Sequence, residues 1–145
     1  MVAAVYGLWD NRVMQLSNIF KHIPGIDVAY LFGSRARGNH SKLSDYDFAV
    51  QINEAVKPGN HHQIKLLLIK ALCRALKTDA VDVIILNSAP LLLKHRVIRD
   101  RKLLFCRSQL KRIRLETKIL IEYLDFKEYE TAFAKNTFKR ILGAA

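Results

Sequence analysis

Three aspartates and a Gly-Ser pair carry the chemistry this sequence can offer. Asp45 and Asp47 flank Tyr46 at the head of an apolar run, Phe48-Ala49-Val50. In a strand, residues i and i+2 share a face, so the two carboxylates project side by side and Tyr46 points the other way. Carboxylates held that close repel each other unless cations sit between them. Hard cations such as Mg²⁺ take oxygen ligands, commonly one or two carboxylates plus substrate phosphates. Asp82 is the third acid. It stands inside Ala80-Val81-Asp82-Val83-Ile84-Ile85-Leu86, a β-branched run that reads as a strand, where an unpartnered carboxylate is costly. Alternation groups it with Ile84 and Leu86. If this strand pairs beside the one that begins around Asp47, the three acids make a triad around metal ions. Asp79 is a rival third acid, but it precedes the strand, where a turn or cap role suits it better.

Upstream, Val28-Ala29-Tyr30-Leu31-Phe32 is an apolar strand that runs into Gly33 and Ser34. Gly33 lets the backbone approach a ligand closely. The amides after it, at the start of a short helix, can meet phosphate oxygens, and Ser34 adds a hydroxyl. A metal site beside a triphosphate site is the equipment of two-metal phosphoryl or nucleotidyl transfer. A lone Asp-x-Asp or Gly-Ser says little. The order apolar strand, Gly-Ser, ten residues, Asp-x-Asp, apolar strand is far more specific.

That order resembles the signature of the DNA polymerase β-like nucleotidyltransferase superfamily. The form GSRARG followed by SDYD resembles most the minimal nucleotidyltransferases, the MntA-type antitoxins that accompany HEPN-domain ribonuclease toxins. The resemblance implies an α/β (α+β) fold: a small mixed β-sheet flanked by helices, with a long C-terminal helical segment. It implies ATP as substrate and two Mg²⁺ ions. Gly33 and Ser34 would hold the β and γ phosphates. Asp45 and Asp47 would bind the ion on the triphosphate, and Asp47 would share a second ion with Asp82. Asp82 is the candidate general base on an acceptor hydroxyl. Arg35 and Arg37 point apart on a helix; the superfamily favours the second, Arg37, for phosphate or acceptor. Ser44 orients Asp45 or caps the loop. The implied reaction is transfer of AMP to a tyrosine of a HEPN toxin, which silences it. The base, the toxin and the tyrosine come from the resemblance, not from composition or spacing.

Two other classes of function compete. One is a nucleotidyltransferase acting on an RNA end or a small molecule. The other is an antitoxin that neutralises its partner by binding alone. A cationic drug would want an acidic pocket, and this chain is basic outside its triad. RNA suits the charge better: the formal net charge is +11. It is uneven, since Lys94 to Lys118 holds ten lysines and arginines against Asp100 and Glu116 alone, a net of +8. That segment is a candidate nucleic-acid surface or simply a solvated helix face.

The chain's 145 residues fit one domain, residues 1–145, with a catalytic core over 1–107 and a partner-binding helical segment over 108–145. No apolar run reaches the length of a membrane span. The N-terminus has no basic region like that of a signal peptide. Cys73 and Cys106 read as unpaired buried thiols, which fits a reducing cytoplasm. His61 and His62 are adjacent and so diverge on a helix, a poor metal pair.

The elements that position the acids can be read in order. Asp10 or Asn11 caps a helix to about His22, with an apolar stripe of Val13, Leu16, Ile19, Phe20 and Ile23. Pro24-Gly25 ends it. Asn60 caps a second helix to about Lys77, with Ile64, Leu67, Leu68, Ala71, Leu72 and Leu76 inward and Leu66, Ile69 and Cys73 widening that face. Ser88 caps a third, over 89–100, with Pro90 in its first turn. Leu103-Leu104-Phe105 forms a short strand. From Ser108 a helical pattern runs without Pro or Gly to Gly143. About 33 residues of helix is roughly 50 Å, longer than a small core can cover. It either bends back near 125–129 or leaves an apolar face for a partner.

Overall fold

In the computed structural model, which describes residues 15–143, the apolar run after Gly25 becomes the central strand. This strand, β1 (Ile26–Phe32), is buried along its whole length. It has neighbours on both sides: β2 (Tyr46–Ile52) and β4 (Lys102–Cys106), each antiparallel to it. β3 (Val81–Ile85) pairs parallel with β2 at the edge. Among the described residues the sheet order is β3-β2-β1-β4. A mixed sheet flanked by helices is the expected fold class, and β3 lies where Asp82 was expected to need it.

Each face of the sheet has its own apolar layer. On one, Phe20 of α1 (Ser17–His22) and Leu68 and Leu72 of α3 (His61–Leu76) cover Leu31, Phe48 and Val83. On the other, Val97 of α4 (Leu91–Asp100) and Ile119 of α5 (Gln109–Ile141) cover Val28, Tyr30 and Ala49. Strand alternation divides the side chains between the layers. Asp47 therefore shares the α4/α5 face with Ala49, and Asp82 shares it with Ile84 and Leu86.

Several boundaries differ from the sequence pattern for local reasons. The expected caps Asp10 and Asn11 and the stripe residue Val13 lie outside the described residues, whereas Leu16 and Phe20 are buried as expected. Asn60 stands at the N-terminal cap of α3, but it is itself helical and its side chain makes no cap hydrogen bond. Leu67, placed on the inward stripe, is 57% exposed, and Leu66 is exposed too. The buried line is Leu68, Leu72 and Leu76, spaced by four. Ser88 does not cap α4. It closes a 3₁₀ turn, Leu86–Ser88, and Pro90 takes the cap position in an extended conformation. The proline ring disfavours helix at the residue before it, and Ala89 is accordingly extended, so the helix begins only at Leu91.

Ser108 does cap α5, its Oγ accepting from the Lys111 amide at 3.4 Å. The helix then runs unbroken for 33 residues, with no turn back at 125–129. Cys73 and Cys106 are free and half-buried. No described helix is long and apolar enough to cross a membrane.

Candidate active site

The turn after β1 is built on a backbone only glycine holds easily. Gly33 has φ +76° and ψ −159°, a region almost restricted to glycine. A Cβ on Gly33 would stand 2.5 Å from Asp47 Oδ2, so the turn backbone lies directly against that carboxylate. Gly33 caps α2 (Ser34–Arg37), a single turn closed by Gly38 in the left-handed conformation. Its carbonyl accepts from the amides of Ala36 and Arg37, both at 3.1 Å. The first amides of a helix have no intrahelical partner, and in this single turn those are the amides of Ser34 and Arg35.

The strand register brings the acids to the same end. Phe32 pairs with Asp47 across β1–β2, and Asp47 pairs with Asp82 across β2–β3. These three residues form one row on one face of the sheet. The Tyr46 amide donates to the Ala80 carbonyl at 2.8 Å and fixes where the parallel pair begins. Asp45 immediately precedes β2 and is exposed, as is Asp82, while Asp47 is half-buried. Burial pushes the Asp47 carboxyl above the usual carboxylate range, and the charges of Asp82 and then Asp45 push it further. Asp47 thus feels both other acids.

Among the described residues, no three carboxylate, imidazole or thiol side chains form a ready-made metal cage. Mg²⁺ ordinarily binds through one or two carboxylates, keeps several waters and completes its shell with substrate phosphates. Asp45, Asp47 and Asp82 supply hard oxygen donors only, and they fit that ion.

The two arginines do different work. Arg35 is a strut. Its Nε and Nη2 donate to the Ser44 carbonyl at 3.0 and 2.9 Å, and its guanidinium lies 3.8 Å over the Tyr46 ring. It clamps the loop just before Asp45. Ser44 Oγ accepts from the Ser41 amide at 3.0 Å, so of its two expected roles Ser44 takes the loop cap. Arg37 is held by Asp100 at 2.9 Å. The side chain of Asp100 is only 4% exposed. Burial alone would raise its carboxyl, but Arg99 and Arg37 outweigh burial and hold it below the usual range. Arg37 is therefore anchored beside the site, with its outer half exposed.

Asp100 and the buried Tyr30 hydroxyl's partner, Glu116, are residues that spacing did not single out. Tyr30 donates to Glu116 Oε1 at 2.9 Å, and Arg112 and Arg101 pair with the same carboxylate. A signal was present: Asp100 and Glu116 are the only acids between Lys94 and Lys118, and both are hubs of ion pairs. The basic segment is correspondingly less free than its charge implied. Arg99, Arg101, Lys111 and Arg112 pair with Asp100, Glu116 or Asp27, and Arg107 donates to the Ile26 carbonyl.

The sequence matches the profile of the polymerase beta nucleotidyltransferase family over residues 14–110. It is similar to a protein adenylyltransferase MntA of Aphanizomenon flos-aquae (strain 2012/KM1/D3), 29% identical over 119 residues and 79% of each chain. The fold is similar to that of a toxin–antitoxin crystal structure with AMP-PNP: TM-score 0.66, 26% identity, 90% of this chain and 99% of that one. It is also similar to the structure of a tri-AMPylated Shewanella oneidensis HEPN toxin in complex with MNT antitoxin, with a TM-score of 0.60 over 95% of this chain and 99% of that one. At 23% identity that likeness is one of fold. A family match over two thirds of the chain, joined to a glycine turn set against paired strand carboxylates, makes this chain a member of the polymerase beta nucleotidyltransferase family.

Proposed function

We propose that this chain is an antitoxin adenylyltransferase: it transfers AMP from ATP to a hydroxyl, that of a tyrosine, on a cognate HEPN ribonuclease toxin and so neutralises it. The observation that carries the reading is the row Asp47–Asp82, with Asp45 beside it and the Gly33 turn against it. The adenylyltransferase name of the relative and the toxin–antitoxin assembly with AMP-PNP support the acceptor and the nucleotide.

Each residue has a role in this reading. The Gly33 turn and Ser34 hold the β and γ phosphates, and Arg37, anchored by Asp100, presents its exposed edge to phosphate or acceptor. Asp45, Asp47 and Asp82 are the ligands for Mg²⁺, which when bound neutralises charge on the triphosphate. Asp82 takes the proton of the acceptor hydroxyl. The hydroxyl oxygen bonds to the α-phosphorus, the bond to the bridging oxygen breaks, and pyrophosphate leaves. Only Asp47 of the three is half-buried, so a macromolecular acceptor can reach the site from solvent.

The unit of function is the core over 1–107, with the segment 108–145 as partner-binding helix. Its two free thiols fit a reducing cytoplasm. RNA contact through the segment 94–118 draws on what its internal ion pairs leave outward, chiefly Arg96, Arg114 and Lys118. The reading is tested by mixing the chain with ATP, Mg²⁺ and the toxin and weighing the intact toxin. Mass increments of whole AMP units support it; an unchanged toxin, with AMP added to RNA and pyrophosphate released, would replace it.

A further inference from the structure

Asp100 is an acid where the fold alone has little use for one. It is the last residue of α4, at the negative end of the helix macrodipole, where a carboxylate is disfavoured. Its side chain is only 4% exposed, so its charge is also largely removed from water, a second cost. Two arginines offset both. Arg99 of α4 donates to Oδ1 through Nε at 2.9 Å and to Oδ2 through Nη2 at 3.3 Å. Arg37 of α2 donates to the same Oδ2 through Nη1 at 2.9 Å. One oxygen thus joins guanidinium groups from two separate helices.

Neither guanidinium is used up. An arginine has five N–H donors. Asp100 takes two from Arg99 and one from Arg37, and neither side chain has another hydrogen-bond partner among the described residues. Both are about half exposed. Two cations against one carboxylate leave the group net positive. The neighbouring Arg101 is turned elsewhere: it donates to the Ile98 carbonyl and pairs with Glu116. Arg99 is therefore the arginine of this segment that is joined to Arg37.

The group stands at the end of a line that starts from the catalytic acids. The Gly33 backbone lies against Asp47. Ser34 follows, and Arg37, three residues on, shares its side of the helical turn. Across Asp100 comes Arg99. A phosphate chain with its inner end at the aspartates would meet Ser34 and then the two guanidiniums, whose planar forks match phosphate oxygens.

We propose that Arg99 is a phosphate-binding residue of the transfer reaction: with Arg37, and joined to it by Asp100, it clamps the terminal phosphates of ATP and the pyrophosphate that leaves. The proposal rests on the adenylyl-transfer reading and adds to that site a residue from outside the Gly-Ser to Asp-x-Asp stretch. When the bond between the α-phosphorus and the bridging oxygen breaks, its electron pair stays on pyrophosphate. Two fixed cations then meet the charge that develops there. Asp100 is the positioning residue, because without its carboxylate the two like charges repel and the pair opens.

Calorimetric titration of the full chain with ATP, pyrophosphate and AMP, each with Mg²⁺, tests the clamp, since AMP lacks the phosphates it would hold. Arg99→Ala should weaken ATP and pyrophosphate binding about tenfold or more and leave AMP binding unchanged. Arg99→Lys keeps the charge without the fork and should recover only part of the loss. The Arg99 ion pair is solvent-exposed on the arginine side, so both variants should melt close to the parent. Asp100→Asn removes a negative charge, and electrostatics alone would tighten ATP binding; weaker binding in a folded variant identifies positioning. Parent-like ATP and pyrophosphate affinity in Arg99→Ala would overturn the proposal, as would an equal loss for AMP. Unchanged ATP affinity with a raised KM for toxin would give Arg99 to the acceptor instead. Tighter ATP binding in Asp100→Asn would contradict a clamp held by that carboxylate. A parent chain that binds no ATP would remove the transfer reading and the clamp together, whereas ATP bound without regard to Arg99 would remove the clamp alone.

Discussion

Asp47 of β2 and Asp82 of β3 are register partners in a parallel pair, two carboxylates opposed on one face of the sheet. The fold gains nothing from this opposition. Burial and the charges of Asp82 and Asp45 raise the Asp47 carboxyl above its ordinary value, so the folded state favours the protonated form more than the unfolded chain does. The stability from this group is therefore present below the unfolded carboxylate value and is lost as pH rises through the folded one. Asp47→Asn should raise the melting temperature of the metal-free protein at neutral pH. That gain should vanish below about pH 4, where the unfolded carboxylate is itself protonated. Mg²⁺ should stabilise the parent and not the variant. Melting curves at the two pH values, with and without Mg²⁺, check all three.

Removing a carboxylate should have the opposite effect on chemistry. Asp45→Asn or Asp82→Asn should each lower kcat by about a thousandfold, the several kcal/mol that charge stabilisation by a metal supplies. Single-turnover rates of both variants, with and without Mg²⁺, check the size of the loss.

Gly33→Ala combines two faults. The backbone there is strained for any residue with a side chain, and the new Cβ would collide with Asp47 Oδ2. The substitution should cost about 1–3 kcal/mol of stability and abolish ATP binding. Gly38→Ala is the control, because a Cβ there meets nothing within 4 Å. It should strain the turn, since φ is +79°, yet retain measurable ATP affinity. Denaturant unfolding and nucleotide titration of both variants check the pair.

The two arginines should separate in kinetics. Arg37→Ala removes an ion pair whose arginine is 43% exposed, so stability should change by no more than about 1 kcal/mol. KM for ATP should rise about tenfold if its exposed edge meets phosphate. Arg35→Ala removes the clamp on Ser44 and the cover over Tyr46. It should loosen the approach to Asp45, lowering kcat more than it raises KM.

Tyr30→Phe tests the support under α5. It deletes a hydrogen bond to a carboxylate that Arg112 and Arg101 also hold. Bonds to charged groups are worth about 1.5–3 kcal/mol, so a loss of that order is expected in unfolding, with kcat unchanged.

The placement of the site residues was legible because it is local. Asp45, Asp47 and the Gly33 turn lie within one short stretch, and their alternation and glycine follow from backbone geometry. Asp82 was reachable too, since a carboxylate in a β-branched run calls for an explanation and its neighbours named its face. What stayed hidden is non-local. No spacing rule ties Arg37 to Asp100, 63 residues away, or Tyr30 to Glu116, 86 away. The Ser88 cap failed for a different reason: Pro90 imposed its own geometry on the residue before it. The α5 pattern left a bend and an unpartnered face equally open, and the unbroken helix selects the second.

The most direct measurement incubates the protein with α-labelled ATP, Mg²⁺ and the HEPN toxin, beside an Asp45→Asn/Asp47→Asn version and with RNA as a competing acceptor. The account predicts metal-dependent label on the toxin, lost in the double variant, together with toxin that no longer cleaves RNA. Label on RNA instead, or an inhibited but unlabelled toxin in both versions, would contradict it.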